Sequence, residues 1–212
     1  MVRLLDSGLD QLTAMVVKSG EVAKKAVNIS FCSFMDGKDT IETVRSLSDK
    51  ICFLTTEIED KAFELIVKYQ PVASDLRIIN SYMKIAYDFE RYGRYALDIL
   101  FAQNRLAEAN KCINSTDLMN KLIEKVYTMV SISIEALKEH DGEKAKTLAN
   151  IEEEVDKLYF SYLERLAEMT ERNRTIMCNL LVVRYLERIA DHTTYVGEAI
   201  VYVSSGEKIR LR

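Results

Sequence analysis

The stretch "YLERIADHTTYVGEAIVYV" (residues 185–203) decides the fold, because it combines the apolar spacing of a helix with two acids. Apolar residues recur every three or four positions from Ile176, as on one face of a helix. Glu187 occupies one position of this series, and Ala190 continues it. Asp191 follows Glu187 by one helical turn, so the two carboxylates share a side of the helix. Like charges beside a stripe that is expected to be buried repel each other, and they therefore need a positive partner.

Scarce turn residues and nearly continuous helical periodicity predict an all-α protein. The 212 residues include one proline and seven glycines, which is fewer turn residues than a sheet protein needs. The apolar periodicity predicts six long helices. The pattern is interrupted at 34–39, 69–75, 110–117, 139–144 and 170–175.

The six predicted helices form an internal repeat. The apolar positions of the second and fifth helices match at a constant offset of 104 residues, starting from Val44 and Leu148. Those of the third and sixth helices match at an offset of 97 residues. Because short loops make neighbouring helices antiparallel, the repeat predicts two tandem three-helix bundles, residues 1–107 and residues 108–212.

Charge and hydropathy exclude several classes of protein. The net charge of −4 gives no support to nucleic-acid binding, which usually requires a basic patch. No apolar run approaches the roughly 20 residues that span a bilayer, and the first residues do not resemble a signal peptide. We therefore predict a cytoplasmic protein. Its four cysteines, none spaced as C-x-x-C, are expected to be buried and reduced.

Two acidic pairs differ from the many others in this chain. Acids four residues apart are common here, so the spacing alone is a weak signal, and most such pairs are expected to be solvated. Glu152 with Asp156 borders the apolar stripe of the fifth helix, and Glu187 with Asp191 lies along that of the sixth. These four carboxylates are the candidate metal ligands.

Two kinds of positive partner could compensate these acids. Arg184 and Arg188 each lie within one turn of Glu187 and could form structural ion pairs with it. Alternatively, carboxylate oxygens from two antiparallel helices could bind a cation such as Mg, Ca, Mn, Fe or Zn. His192 points about 100° away from Asp191, so we interpret it as a surface or hydrogen-bonded histidine.

Catalytic motifs are missing from the sequence. It contains no Gly-rich phosphate loop, no G-x-S-x-G and no Glu-x-x-His of the ferritin type. An enzyme should add a nucleophile, a base or an open cleft to a metal site. We therefore predict a protein that is not an enzyme, with a carboxylate-metal enzyme as the least favoured alternative.

Two segments resemble the PhoU family. "YQPVASDLRIINSYMKIAYDFERYG" (residues 69–93) is similar to the PhoU pattern Q-P-V-A-x-D-L-R followed by D-L-E-R-I-G-D. "YLERIADHTTYVGEAIVYVSSGE" (residues 185–207) is similar to its second-half partner, L-E-R-I-A-D-H-x-x-N-I-x-E, although Tyr195 stands where the pattern has Asn. The segment "EEEVDKLY" (residues 152–159) also matches, so the resemblance covers almost the whole chain in the right order.

The resemblance implies a regulator of phosphate uptake built from two three-helix bundles. Such a protein acts in the cytoplasm on a phosphate-specific ABC transporter, and in many bacteria with a membrane sensor kinase, damping uptake when phosphate is plentiful. It would reach the membrane only through these partners, and it could form a homodimer. PhoU-like domains also occur with sodium–phosphate symporters and potassium channels, so a module serving one of those is the alternative.

The resemblance also implies a metal motif, Glu/Asp-x-x-x-Asp, on the second and third helices of each bundle. The second half keeps both copies of the motif, and the first half does not. Arg94 replaces the aspartate of the third helix, one turn from Glu90, where it is expected to neutralise that acid and repel a cation. Metal is therefore expected on the second bundle only. The four second-half ligands are Glu152, Asp156, Glu187 and Asp191, and the corresponding first-half residues are Ser48, Cys52, Glu90 and Arg94.

Overall fold

Helices make up well over two thirds of the chain in the computed structural model, which describes residues 3–106, 117–169 and 174–212. No strand occurs within these ranges. None of the helices in them is both long enough and apolar enough to cross a membrane.

The all-α prediction with six long helices is confirmed, and a short helix, α5, adds to it. The helices are α1 (Leu4–Asp36), α2 (Ile41–Tyr69), α3 (Ser74–Leu106), α4 (Asp117–Glu139), α5 (Gly142–Lys146), α6 (Leu148–Ala167) and α7 (Arg174–Ser205).

The ends of the helices follow from local backbone chemistry. α1 ends where Gly37 adopts the left-handed conformation at φ 69°, which costs glycine little. α2 ends where Gln70 adopts the same region, immediately before Pro71, which has no amide hydrogen to continue a helix. α5 begins after Asp141, whose carboxylate accepts a hydrogen bond from the amide of Lys144 at 2.9 Å.

The helices pack as two groups of three that share one core. α1, α2 and α3 pack against one another, and so do α4, α6 and α7. The most extensive contact joins α3 to α7, which run antiparallel, and the buried apolar residues of both groups form a single cluster. α2 and α6 are therefore the outer helices, while α3 and α7 lie at the centre.

The predicted boundary between residues 107 and 108 stays a prediction, since residues 107–116 lie outside the described part of the chain. Several paired positions of the repeat agree in burial, whereas Leu65 is buried and its counterpart Met169 is exposed. Val44 and Leu148 are both buried, as are Ile51 and Val155.

The prediction that the cysteines are buried is wrong for two of them. Cys32 and Cys52 are exposed because they lie on the outward faces of α1 and α2. Cys178 is buried as predicted, and Cys112 lies outside the described residues.

We expect Gly20 to be required for contact between the two groups of helices. A Cβ atom at this position of α1 would lie 2.8 Å from Cε2 of Phe89 in α3 and 3.2 Å from Cγ1 of Ile134 in α4. Helix propensity alone would make Gly20→Ala stabilising by about 0.5–1 kcal/mol. Overpacking should reverse the sign and lower the free energy of unfolding by about 1–3 kcal/mol, as measured by urea denaturation. Adding Phe89→Leu to Gly20→Ala should recover part of the loss, and a stabilised Gly20→Ala protein would contradict the expectation.

Candidate functional site

The four predicted acids lie on the contact between α6 and α7. Glu152 and Asp156 come from α6, and Glu187 and Asp191 come from α7. Their exposed fractions are 5% for Glu152, 7% for Glu187 and 2% for Asp191, while Asp156 is partly buried. The sequence prediction that carboxylates enter a buried surface is therefore confirmed.

The charges of the four carboxyl groups act on one another. Burial raises the pKa of Glu152, Asp156 and Glu187, and the negative charge of Asp191 raises each of these three pKa values further. Asp156 adds to the raised pKa of Glu152. Since Asp191 acts on all three, we define these four residues as the carboxylate cluster.

Two arginines of α7 pair with the acids of their own helix. Arg184 Nη1 donates a hydrogen bond to Glu187 Oε2 at 2.7 Å. Arg188 Nη1 donates to Asp191 Oδ2 at 3.5 Å, and its Nε lies 3.9 Å from Glu187 Oε2. The ion-pair interpretation of the sequence is thus confirmed for Arg184 and Arg188.

Arg212 is a third guanidinium in the cluster, and it was not predicted from the sequence. It forms an ion pair with Asp191 Oδ1, and its Nη1 donates a hydrogen bond to the Tyr195 hydroxyl at 3.5 Å. Its positive charge lowers the pKa values of Glu152, Asp156 and Glu187, opposing the effect of burial. The pairing with Asp191 raises the pKa of Arg212 itself. No periodic pattern in the sequence could have pointed to it, because it lies beyond the last helix.

Arg212 reaches the cluster because the chain turns back along α7. Gly206, at φ 81°, reverses the chain after Ser205, and residues 206–212 form what we call the return segment. The amide of Leu211 donates a hydrogen bond to Glu198 Oε1 at 2.9 Å. The Leu211 side chain is buried in a slot beside Gly197, where a Cβ atom would lie only 2.8 Å from Leu211 Cδ1.

The donor chemistry of the carboxylate cluster fits a hard metal cation, since clustered carboxylates with raised pKa values favour positive charge. However, among the residues that the structure describes, no group of three or more His, Cys, Asp or Glu side chains is arranged to hold a metal ion. Guanidinium groups are paired with Glu187 and Asp191 instead. The assignment of the cluster as a metal site stays a prediction.

His192, the neighbour of Asp191, is directed towards α3. Its Nδ1 lies 2.7 Å from Asp88 Oδ1, and both side chains are buried. Burial raises the pKa of Asp88, and the hydrogen bond with His192 opposes that rise. The rings of Tyr95 and Tyr195 flank the imidazole, with centroids 5.7 Å and 5.4 Å away. The interpretation of His192 as a hydrogen-bonded histidine is confirmed.

Asp88 was missed in the sequence, although a signal was present. Asp88 follows Ile85 by three residues and precedes Tyr92 by four, so it lies on the buried stripe of α3. An acid at such a position requires a partner from another helix, and α7 supplies it.

The first-half residues do not form an equivalent cluster. α2 and α3 approach closely there, since a Cβ atom at Gly93 would lie 3.5 Å from the Cα of Ser48. The expectation that Arg94 neutralises Glu90 is wrong, because in the described residues no ion pair joins them. Arg94 is exposed, and its charge instead opposes the burial that raises the pKa of Asp98.

The pair between Asp88 and His192 should stabilise the junction of the two halves. Asp88→Ala would leave the His192 Nδ1 buried without its partner, so we expect a loss of about 1–3 kcal/mol in the free energy of unfolding. Asp49→Ala, which removes an exposed acid from α2, should change stability by less than about 0.5 kcal/mol. Thermal unfolding followed by circular dichroism measures both, and equal effects of the two changes would refute the assigned role.

Comparison with known proteins identifies the family. The family model described as the PhoU domain matches residues 16–102 and 119–200. A phosphate-specific transport system accessory protein PhoU homolog from Clostridium acetobutylicum is 30% identical over 215 residues, covering 99% of this chain and 98% of that protein. A homolog with the same name from Caulobacter vibrioides is 32% identical over 207 residues, covering 95% of this chain and 90% of that protein.

Solved structures agree with this match. The crystal structure of PhoU from Pseudomonas aeruginosa superposes with a TM-score of 0.89 at 26% identity, covering 95% of this chain and 99% of that one. The phosphate transport system regulatory protein PhoU from Streptococcus pneumoniae shares the fold with a TM-score of 0.88 at 21% identity, covering 97% and 99%. With a family match in both halves and relatives aligned over nearly their full length, the chain belongs to the PhoU family.

Proposed function

We propose that this protein regulates the uptake of inorganic phosphate by acting on a phosphate-specific ABC transporter. The observation that carries the proposal is the match over almost the full chain to proteins named as accessory proteins of the phosphate-specific transport system. The superposition on PhoU from Pseudomonas aeruginosa supports it, because it extends the likeness to the arrangement of both halves. The regulation is negative and damps uptake when phosphate is plentiful.

The proposed role is regulatory rather than enzymatic. The relatives carry names of accessory proteins, and the acids of α7 and α3 are engaged by arginine and histidine side chains. A protein of this kind works in the cytoplasm, where it would contact the transporter or a membrane sensor kinase and reach the membrane only through them. A homodimer is part of the same proposal.

Deleting the gene should raise phosphate uptake under phosphate-rich conditions, since the negative regulation of the transporter would be lost. Uptake of labelled phosphate measures this directly, and a plasmid copy of the wild-type gene should restore the lower rate. Unchanged phosphate uptake together with altered potassium flux would reject the proposal in favour of a channel-associated module.

We also propose that the carboxylate cluster binds a metal cation, either Fe, Zn, Mn, Mg or Ca. The support is chemical: four carboxylates on two packed helices, three of them with pKa values raised by burial and by Asp191. A bound cation would neutralise these charges and hold α6 against α7. Glu152, Asp156, Glu187 and Asp191 are the proposed ligands.

Metal should bind to the second half only. Glu187→Ala/Asp191→Ala removes two acids of the cluster and should abolish most of the metal content. Glu90→Ala, at the corresponding position of the first half, should retain it. Elemental analysis of protein purified without chelator compares these variants with the wild type. Full metal content in the double variant, or its loss in Glu90→Ala alone, would show the assignment to be wrong.

A further inference from the structure

We infer that the groove between α3 and α7 is a docking site for a segment of a partner protein that carries acidic and apolar side chains. The segment would lie between cations of α3 on one side and cations of the return segment on the other. Such a site deepens the proposed function, since it rests on action through a protein partner and specifies what that partner presents.

The groove combines an apolar and aromatic lining with an opening to solvent. Its volume is about 910 Å³, which is within the size range of binding sites. Tyr87 and Tyr195 are 46% and 39% exposed, so their rings are accessible to a bound side chain. The apolar and aromatic lining residues are Met83, Tyr87, Tyr195, Ala199, Tyr202 and Ile209. Apolar side chains of a partner would therefore bury surface here.

Cations without acidic partners border the groove on two sides. They are Arg77, Lys84 and Arg91 on α3, spaced by two helical turns, and Lys208 and Arg210 on the return segment. None of them forms an ion pair in the part of the chain that the structure describes. Arg91 Nε donates a hydrogen bond to the Tyr87 hydroxyl at 2.9 Å, and Arg77 Cζ lies 5.5 Å from the ring centroid of Tyr202. Unpaired cations aligned along a groove attract an acidic ligand and orient it.

Three acids also line the groove, and two of them are hydrogen-bonded within the protein. Asp88 is buried against His192, with 2.7 Å between Oδ1 and Nδ1, and Glu198 accepts a hydrogen bond from the amide of Leu211. Glu59 is an exposed acid at the α2 edge. Five cations therefore meet three acids, so the groove with its borders is positively charged although the chain has a net charge of −4.

The cations of the return segment are held in place before any ligand binds. Lys208 Nζ lies 5.4 Å from the ring centroid of Tyr202 in α7. On the far side of the segment, Leu211 is buried and Arg212 forms an ion pair with Asp191. A wall that is already ordered makes docking less costly, since little conformational freedom is lost on binding.

A recessed site of this kind favours a peptide over an anionic membrane surface. Its cations stand on both sides of an apolar lining, so acidic side chains can pair at the edges while apolar ones fill the centre. A flat lipid surface would touch the exposed edges alone and leave the recess unfilled. The partner segment is therefore expected to carry acidic and apolar residues together.

The first test measures binding of the full chain to a fluorescein-labelled peptide of glutamate, leucine and serine residues by fluorescence anisotropy. The wild type should bind this peptide, and added salt should weaken the binding, because exposed charges are screened. Lys84→Glu/Arg210→Glu reverses one cation on each side of the groove and should weaken binding by about tenfold. A peptide with lysine in place of glutamate should not bind.

The matched control is Lys18→Glu/Lys25→Glu, which makes the same change in net charge at two exposed positions of α1 away from the groove. This variant should bind the peptide like the wild type, and circular dichroism verifies that both double variants are folded. Absence of peptide binding by the wild type overturns the inference, and so does an equal loss of binding in both double variants.

The second test separates a peptide ligand from a membrane. Sedimentation with vesicles of phosphatidylglycerol and phosphatidylcholine should carry down no more wild type than Lys84→Glu/Arg210→Glu. Vesicle binding that depends on these two cations would overturn the peptide in favour of a lipid surface.

In cells, Lys84→Glu/Arg210→Glu should raise phosphate uptake as the gene deletion does, while Lys18→Glu/Lys25→Glu should leave it unchanged. Wild-type uptake in a strain carrying Lys84→Glu/Arg210→Glu would show that the groove does not serve the partner. Unchanged uptake in the deletion strain rejects the proposed function alone, since the peptide measurement uses the purified protein.

Discussion

Two adjacent polar side chains on α7 connect this helix to neighbours on two of its sides. Successive residues of a helix point about 100° apart, so Asp191 and His192 are directed to different neighbours although both are buried. Asp191 lies among the acids of the contact with α6, and His192 meets Asp88 of α3. A helix that buries polar groups on two sides must be packed on both, which agrees with the central position of α7.

The contact between the second and third long helices is made by different side chains in the two halves. In the second half, α6 and α7 meet through charged groups, and the cost of burying them is offset by arginines. In the first half, α2 and α3 meet through close approach at Gly93, beside Ser48 and Ile51. Only Glu90 remains there from the acidic pattern, and it is less buried than Glu187. In the first half, the close approach of α2 and α3 at Gly93 therefore stands where the second half buries acidic side chains.

The sequence predicted the features that depend on periodicity within one helix. It did not predict the contacts between residues that are distant in the chain. The six long helices, the burial of Glu187 and its pairing with Arg184 all follow from spacing within one helix, which is a local property. The pairing of Asp88 with His192 joins residues 104 positions apart, and only the packing of α3 on α7 brings them together. Arg212 follows the last helix in an irregular segment, for which no periodic rule exists. The charge pattern also predicted a pairing of Arg94 with Glu90 that does not form, since Arg94 is exposed.

Charge balance links the arginines to the proposed cation. Four carboxylates of the cluster face three guanidiniums, those of Arg184, Arg188 and Arg212, so one negative charge is left in excess when all are ionised. This excess, together with burial, is reflected in the raised pKa values of the two α6 acids, and the charge of Arg212 opposes the rise. A bound cation, as proposed for this cluster, would supply the missing positive charge. Burying a cluster with one uncompensated negative charge is costly, so the three arginines offset most of that cost without cancelling it.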